Sequence, residues 1–179
     1  MIGYYTFYFE YFKGRRGNSS EKSIVNFKTG EREYPSQEVN DLVKVGNFEL
    51  AEGLYYSKEY FWVRVENGKT RMGITDYAQK QMREIVFLEI PKAGDRLAQN
   101  EPFGTVESVK AVSDLIAPLS GTVEETNEEV SAKPELLNQD PYGKGWLLIV
   151  TPSNLEEELK NLMDFNKAVE WHKEKSKEG

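Results

Sequence analysis

The 179-residue sequence contains no cysteine and a single histidine. Without cysteine the chain can form no disulfide framework, no thiolate nucleophile and no cysteine-ligated zinc site, and a reducing compartment is permitted. The one histidine, His172, lies in a charged stretch near the C-terminus and is expected at the surface. Since catalytic triads and histidine general bases need an imidazole inside a pocket, we expect no catalytic residue, no metal site and no enzyme activity.

Long apolar runs and an excess of positive charge are also missing. No segment approaches the roughly 20 apolar residues that a membrane-spanning helix needs, and the aromatic run near the N-terminus is interrupted by Glu10 and Lys13. We therefore expect no signal peptide, no membrane contact and a cytoplasmic protein. The formal net charge of -7 argues against nucleic-acid binding, because contacts to phosphates need a basic surface. A basic patch on a protein partner fits this charge better.

The residues that are present predict a mainly β protein. Alternation from Trp62 to Val65, an Asn67-Gly68 turn and a return strand to Ile74 predict a β-hairpin. Further strands are predicted at residues 85–90, 103–109, 116–123 and 146–150. Many short strands without a βαβ rhythm are typical of a compact barrel or sandwich.

Two short helices are expected at the edges of this β structure. Thr75 and Asp76 can cap a helix that runs to Met82, with Ala78 and Met82 towards the core. A second helix is predicted at residues 153–163, where Ser153 and Glu156 have the spacing of a capping box, and the lysine- and glutamate-rich end after it should fray.

The first fifty residues form a separate N-terminal extension in this interpretation. Seven aromatic residues between Tyr4 and Phe12 favour an edge strand that packs on the rest of the chain, and Ile24-Val25 favours a second strand followed by a turn. Residues 34–47 give no firm prediction. The predicted organisation is an extension at residues 1–50, a main domain at 51–163 and a charged tail at 164–179.

The chemically informative segment is residues 103–115, in which Lys110 has only short neighbours, among them Ser108, Val109 and Ala111. Together with four further blocks, this segment resembles the glycine cleavage system H-protein family over about residues 56–163. The further blocks are residues 73–79, 117–121, 134–138 and 141–146. A lone exposed lysine is usually only solvated, but five blocks in the family's order favour a modified one.

The resemblance implies a barrel-sandwich hybrid of the lipoyl and biotinyl type, with lipoic acid attached covalently to Lys110 as a swinging arm. A methionine-flanked lysine is typical of biotin carriers, and Val109 and Ala111 stand here instead. The implied partners are a lipoyl ligase or lipoyltransferase, the pyridoxal-phosphate-dependent glycine decarboxylase, the aminomethyltransferase and dihydrolipoyl dehydrogenase. Once acylated, Lys110 loses its charge, and the dithiolane supplies chemistry that a cysteine-free chain lacks.

Residues near Lys110 are secondary candidates. Glu107, Ser108 and Asp114 are expected around the cofactor, and the resemblance gives Asp114 a part in recognition of the loaded arm. Trp62, Trp146 and Tyr142 are interpreted as packing residues, and the scattered glycines do not form a phosphate-binding loop. Those glycines are read as turn residues.

One departure from the family concerns the cargo. H proteins usually have His-Glu before the first-strand tryptophan, whereas Tyr60 and Phe61 precede Trp62 here. In the family that glutamate holds the amine of the cargo, which a phenyl ring cannot do. Glu59, one pleat position earlier, is expected to face away. Three readings stay open: a glycine-cleavage carrier, a carrier for a sulfur-oxidising heterodisulfide-reductase-like complex, and an unmodified binding or lipoyl-relay module.

Overall fold

The computed structural model describes residues 24–25, 32–33, 41–175 and 177. The strands are β1 (Ile24–Val25), β2 (Arg32–Glu33), β3 (Leu42–Val45), β4 (Phe48–Ala51), β5 (Tyr55–Tyr56), β6 (Phe61–Glu66), β7 (Lys69–Ile74), β8 (Ile85–Glu89), β9 (Arg96–Leu97), β10 (Pro102–Ser108), β11 (Val112–Ile116), β12 (Gly121–Thr126) and β13 (Leu148–Pro152). The helices are α1 (Asp76–Met82), α2 (Glu128–Ala132), α3 (Leu136–Gln139), α4 (Leu155–Leu159) and α5 (Phe165–Lys175).

Two antiparallel sheets form the body of the protein. One has six strands in the order β5-β6-β7-β13-β12-β9, and the other has three strands in the order β11-β10-β8. Val63 and Met72 from the larger sheet and Leu88, Val106 and Leu115 from the smaller sheet belong to one buried apolar cluster. The sheets therefore share a core between their inner faces, as in a sandwich, and the predicted mainly β class is confirmed.

The predicted β6–β7 hairpin is present with the expected turn. Its two connecting residues, Asn67 and Gly68, have φ angles of 50° and 78°. Two positive φ angles in succession give the twist that matches the flanking strands, and Asn-Gly reaches this conformation with little steric cost. The N-terminal β1–β2 pair contains the strand predicted at Ile24-Val25, whereas the aromatic strand predicted at residues 4–12 lies outside the described residues.

Helix α1 also follows the prediction. The Thr75 hydroxyl accepts a hydrogen bond from the Ala78 amide at 3.2 Å and so caps the helix. Ala78 is buried, and Met82 packs against the main core cluster. Helices α2 and α3 were not predicted: Asn127 caps α2 through the amides of Glu129 and Val130, but its five residues give too short a period to identify.

The C-terminal prediction is wrong in two respects. Helix α4 begins after Asn154 without a side-chain capping bond and ends at Leu159, so Ser153 forms no capping box. Residues expected to fray form α5, which contacts β3, β4 and β5. The separation of Ala168 and His172 by four residues places both on one buried helix face.

His172 is fully buried, which corrects its expected surface position. Its Nδ1 donates to the Ala168 carbonyl at 2.8 Å, because a carbonyl oxygen can only accept. Burial lowers the pKa of His172, and the hydrogen bond to Ala168 partly opposes that shift. The charged appearance of this segment comes from the outer face of α5, whereas Ala168 and His172 lie on its buried face.

Candidate functional site

The predicted carrier lysine lies at the tip of the β10–β11 hairpin. Strand β10 ends at Ser108 and β11 begins at Val112, so the three residues from Val109 to Ala111 make the connection. This hairpin is the edge of the three-stranded sheet, and β8 supports it on the other side of β10. A rigid sheet therefore carries the lysine on a short loop at its end.

Ser108 holds the turn in shape. Its amide donates to the Ala111 carbonyl at 2.9 Å, and its hydroxyl accepts from the amides of Lys110 and Ala111, both at 3.3 Å. The Val109 amide is tied to the Glu84 carbonyl before β8 at 3.1 Å. Because these bonds use the backbone, the turn is ordered while the Lys110 side chain is left for other chemistry.

Lys110 itself is exposed, as are Val109 and Ala111. Within residues 41–175, the salt bridges include none to its ammonium group. A primary amine with small neighbours and no ion pair to break is accessible to an acyl donor. Lys110 therefore lies exposed on a turn held by Ser108, and its role as an attachment site stays a prediction.

The two candidate carboxylates take different positions. Glu107 is half-buried and pairs with Phe87 on β8 and Val112 on β11. Asp114 is exposed and lines a cavity beside the hairpin. Only Asp114 is therefore placed to meet a group that folds back from Lys110 along β11.

This cavity has a volume of about 470 Å³, within the usual range of small-ligand sites. It is lined by Glu59, Tyr60, Phe61, Ile74, Tyr77, Ala78, Gln81, Met82, Val106, Ser113, Asp114 and Leu115. Ser113 and Asp114 follow Lys110 by three and four residues, roughly 10–14 Å along a strand. A lysine lengthened by an eight-carbon acyl chain spans a comparable distance.

The segment before β6 changes the interpretation of Glu59. Strand β6 begins only at Phe61, and Ser57 closes a turn in which its hydroxyl accepts from the amides of Glu59 and Phe61 at 3.2 and 3.3 Å. The alternation of a strand does not apply inside a turn, so the expectation that Glu59 faces away is wrong. Glu59 is exposed and lines the same cavity as Asp114.

Tyr60 and Phe61 occupy this cavity wall as well. Tyr60 has a φ angle of 66°, uncommon for an aromatic residue, and its carbonyl accepts from the Thr75 amide at 2.8 Å. Its ring stacks on Tyr77 with 5.1 Å between centroids, while Phe61 is buried in the main core. The residues that replace the family's His-Glu therefore give the cavity an aromatic wall.

An aromatic cluster packs behind the aromatic wall of the cavity. Its members, which contact one another through their rings, are Phe48, Tyr56, Tyr60, Tyr77, Trp171 and His172. Burial raises the pKa of Tyr56, whose hydroxyl donates to the Ala51 carbonyl at 2.6 Å. Since α5 supplies two of the six rings, the C-terminal helix supports the cavity indirectly.

The packing role of the tryptophans and of Tyr142 is confirmed. Trp62 is fully buried and donates from Nε1 to the Pro141 carbonyl at 2.9 Å. Tyr142 is buried, with a raised pKa due mainly to that burial, and donates to the Glu49 carbonyl at 2.8 Å. Trp146 is partly buried beneath the Arg71 guanidinium, 5.4 Å from the ring centroid.

The described residues contain neither a membrane-spanning helix nor a cluster of metal-ligating side chains. Among the described residues, no helix combines the length and apolar character needed to cross a bilayer. The same residues contain no group of three His, Asp or Glu side chains arranged to hold a metal ion.

Sequence reasoning missed Glu59 as a site residue and gave no account of the cavity. The available signal was Ser57, whose short hydroxyl side chain two residues before Glu59 favours a turn. The cavity itself had no sequence signal, because its wall combines residues from the β6 entry, β7, α1, β10 and β11.

Comparisons with known proteins identify similar sequences. The sequence model of the family described as glycine cleavage H-protein matches residues 54–175. The chain is 50% identical over 133 residues to a probable glycine cleavage system H protein of Pyrococcus abyssi, covering 74% of this chain and 98% of that protein. It is 53% identical over 104 residues to the glycine cleavage system H protein of Geobacillus thermodenitrificans, covering 58% and 82% respectively.

A solved structure shows the same fold. The crystal structure of a glycine cleavage system H protein from Mycobacterium marinum aligns with a TM-score of 0.54 and 37% sequence identity. The alignment covers 56% of this chain and 84% of that one. This structural likeness confirms the predicted barrel-sandwich class. The chain therefore matches the H proteins in architecture as well as in sequence.

Proposed function

The chain belongs to the glycine cleavage H-protein family, and on that premise we propose that it is the lipoyl carrier of a glycine cleavage system, with lipoate attached to Lys110. The observation that carries the site assignment is the exposed lysine on a turn held by Ser108. The cargo is the aminomethyl group of glycine. A carrier presents this group to other enzymes and does not itself catalyse its transfer.

Attachment requires little of the chain beyond access. The nitrogen of Lys110 forms an amide with the carboxyl carbon of an activated lipoyl donor, the activating group leaves and the amine gives up a proton. Ser108 keeps the backbone of the turn fixed during this step, and the small side chain of Ala111 leaves room for the donor. When attached, the dithiolane supplies the redox and group-carrying chemistry.

The cavity beside the hairpin is the proposed resting place of the loaded arm. Phe61, Val106 and Leu115 offer an apolar wall, and Glu59 and Asp114 are the two acidic residues that line the cavity. A protonated amine needs such a counter-charge when it leaves bulk water. Glu59 thus compensates for the glutamate that Phe61 replaces.

This arrangement favours glycine cleavage over the sulfur-pathway reading. A sulfur-bearing load needs no carboxylate, whereas an amine gains from both Glu59 and Asp114. The relatives named above are glycine cleavage proteins, and neither the sulfur-pathway carrier nor the unmodified module is favoured. The implied partners are glycine decarboxylase, aminomethyltransferase, dihydrolipoyl dehydrogenase and a lipoyl-attaching enzyme, and cytoplasmic location stays a prediction.

The attachment site is tested by intact-mass spectrometry after co-expression with a lipoyl ligase. We expect one lipoyl adduct on the wild-type chain and none on Lys110→Arg, which keeps the positive charge. Lys133→Arg, at another exposed lysine, is the matched control and should be modified normally. An adduct on Lys110→Arg would refute the site.

The cargo assignment is tested with the lipoylated protein, glycine, the decarboxylase and the aminomethyltransferase. We expect activity in the wild type, a several-fold rise in KM for Glu59→Gln and a larger rise for Glu59→Gln with Asp114→Asn. Weak wild-type activity that Phe61→Glu restores, with no effect of Glu59→Gln, would show that Glu59 does not hold the amine.

A further inference from the structure

The exposed apolar residues of this protein are concentrated around the carrier lysine. Among the described residues, the large hydrophobic side chains that stand out as exposed are Val86, Phe87, Val109, Val112 and Leu42, each with at least half its surface accessible. Four of these five flank Lys110 in the chain or on the neighbouring strand β8, and only Leu42 lies on a different sheet. We call these four, Val86, Phe87, Val109 and Val112, the apolar collar.

Strand register explains why Phe87 and Val112 lie on the same surface. Phe87 pairs with Glu107 on β10, and Glu107 pairs with Val112 on β11. Directly paired residues of neighbouring strands project to the same side of a sheet, so Phe87 and Val112 flank Glu107 on one face.

The opposite face of the same three strands is the core face. Leu88 pairs with Val106, and both side chains are buried. The face that carries Phe87 and Val112 is therefore the outer face. Val109 extends this surface to the turn that carries Lys110, because its amide is bonded to the Glu84 carbonyl just before β8.

Exposure here is not required by the fold. Outward positions in a sheet accept threonine, lysine or glutamate readily, and contiguous exposed apolar residues are usually interaction sites. The collar also adjoins the one position that an acylating enzyme must reach. An enzyme that draws the Lys110 amine into its own active site necessarily covers the adjacent outer face of this hairpin.

The charges around the collar define the chemistry of the partner. Residues 84–89 and 105–114 contain four acidic residues, Glu84, Glu89, Glu107 and Asp114, against a single basic one, Lys110. Acylation removes that one positive charge. A complementary surface has an apolar centre with basic residues at its rim.

From these observations we propose that the apolar collar is the docking site for the enzyme that attaches lipoate to Lys110, a protein with an apolar patch ringed by lysine or arginine. This proposal rests on the proposed function, since it presupposes that Lys110 is acylated. It concerns how the attaching enzyme recognises the hairpin that carries Lys110. Phe87, the one aromatic residue of the collar, is the main contact.

The test is the initial rate of lipoylation of the full-length protein by a lipoyl ligase with free lipoate and ATP. Phe87→Thr and Val112→Thr place a β-branched residue suited to strands at each position, and Leu42→Thr is the matched control at a similarly exposed apolar position outside the collar. We expect kcat/KM for the protein substrate to fall about tenfold in Phe87→Thr, as for a central interface aromatic, and less in Val112→Thr. The loss should appear in KM, with the Leu42→Thr rate unchanged.

Several outcomes would overturn the docking site without touching Lys110. Unchanged kcat/KM in both collar variants would do so, and Val112→Thr alone decides if Phe87→Thr does not fold. A wild-type dimer that Phe87→Thr dissociates at the same lipoylation rate would assign the collar to a second copy of the chain. A faster rate in Phe87→Thr would indicate that residues 1–40 cover the collar. Complete absence of lipoylation in the wild type would instead refute the proposed function.

Discussion

The carrier hairpin and the aromatic cluster are opposite kinds of structure within one small protein. The hairpin, residues 108–112, is accessible and held by backbone bonds to Ser108 and Glu84. The aromatic cluster is held by ring contacts among residues from five segments, and most of its members are buried. Function is thus placed where the chain makes few tertiary contacts, and stability where it makes many.

This division follows from what each region must do. A side chain that is to be acylated and then visit several enzymes cannot be packed, because burial would restrict the arm and its access. The strands behind it must nevertheless stay in register, or the lysine would not be presented at a fixed point. The comparison therefore predicts that substitutions of the buried cluster residues outside the cavity change stability and leave the Lys110 turn intact, whereas substitutions in the hairpin do the reverse.

The largest expected effect is on the cluster side. Phe48 is 1% exposed and contacts the rings of Tyr77 and His172. Phe48→Ala should lower the free energy of unfolding by about 3–5 kcal/mol, because it removes a buried ring and leaves a cavity. Urea unfolding followed by tryptophan fluorescence measures this loss. A change below about 1 kcal/mol would mean that the cluster is not the stable end of the molecule.

The next effect is a pH dependence that originates in His172. Because burial lowers its pKa, the unfolded chain binds a proton below about pH 6.5 while the folded chain still resists it. Stability attributable to His172 is therefore complete above pH 6.5 and falls as the pH decreases, by at most about 1.4 kcal/mol per pH unit. Urea titrations of wild type and His172→Asn between pH 7.5 and 5.5 isolate the contribution of His172 to the free energy of unfolding, because the other titrating groups contribute equally to both chains. Equal slopes for both chains would place a solvated imidazole at this position.

A smaller effect is expected where the two regions meet. Thr75 caps α1, the helix that supplies Tyr77 to the cluster and Ala78 to the cavity. Thr75→Ala should cost about 1 kcal/mol through loss of the cap, and Thr75→Ser should retain most of it. Thermal unfolding by circular dichroism compares the two. Equal losses would indicate that the methyl group of Thr75, which is fully buried, matters more than its hydroxyl.

The smallest effect on stability is predicted at the functional lysine itself. Lys110 is exposed and has no ion pair among the described residues. Lys110→Arg should therefore change the free energy of unfolding by less than about 0.5 kcal/mol, as is usual for surface positions. The same urea titration measures it. A loss comparable to that of Phe48→Ala would remove the distinction between the two regions.

Local features of the sequence were predictable because they depend on neighbours in the chain. Asn67-Gly68 indicated the hairpin turn through its tolerance of positive φ angles, and Thr75 indicated the start of α1 through its capping hydroxyl. The segment around Lys110 was recognisable for a different reason: its short neighbours Ser108 and Ala111 alone would also fit a solvated lysine, and it was the five blocks in the family's order that favoured a modified one.

Features that depend on distant contacts were predicted poorly. The many polar residues of α5 gave no sign in the sequence that one face of this helix is buried. The burial of His172 follows only from the contacts of α5 with β3, β4 and β5. Glu59 was given the orientation of a strand residue, because the only local sign of a turn is Ser57 and the start of β6 is set by its pairing with β7. The cavity joins five segments spread between Glu59 and Leu115, so no single stretch could indicate it.

By itself, therefore, the sequence determined the mainly β class, the β6–β7 hairpin and the identity of Lys110 as the candidate attachment site. The tertiary structure alone decided that Glu59 and Asp114 share a cavity, that His172 lies in an aromatic cluster, and that the exposed apolar residues gather around the carrier lysine. The physical reason is range. Turn and cap chemistry acts over a few residues, whereas burial, cavities and surface patches arise only when strands from distant parts of the chain are brought into register.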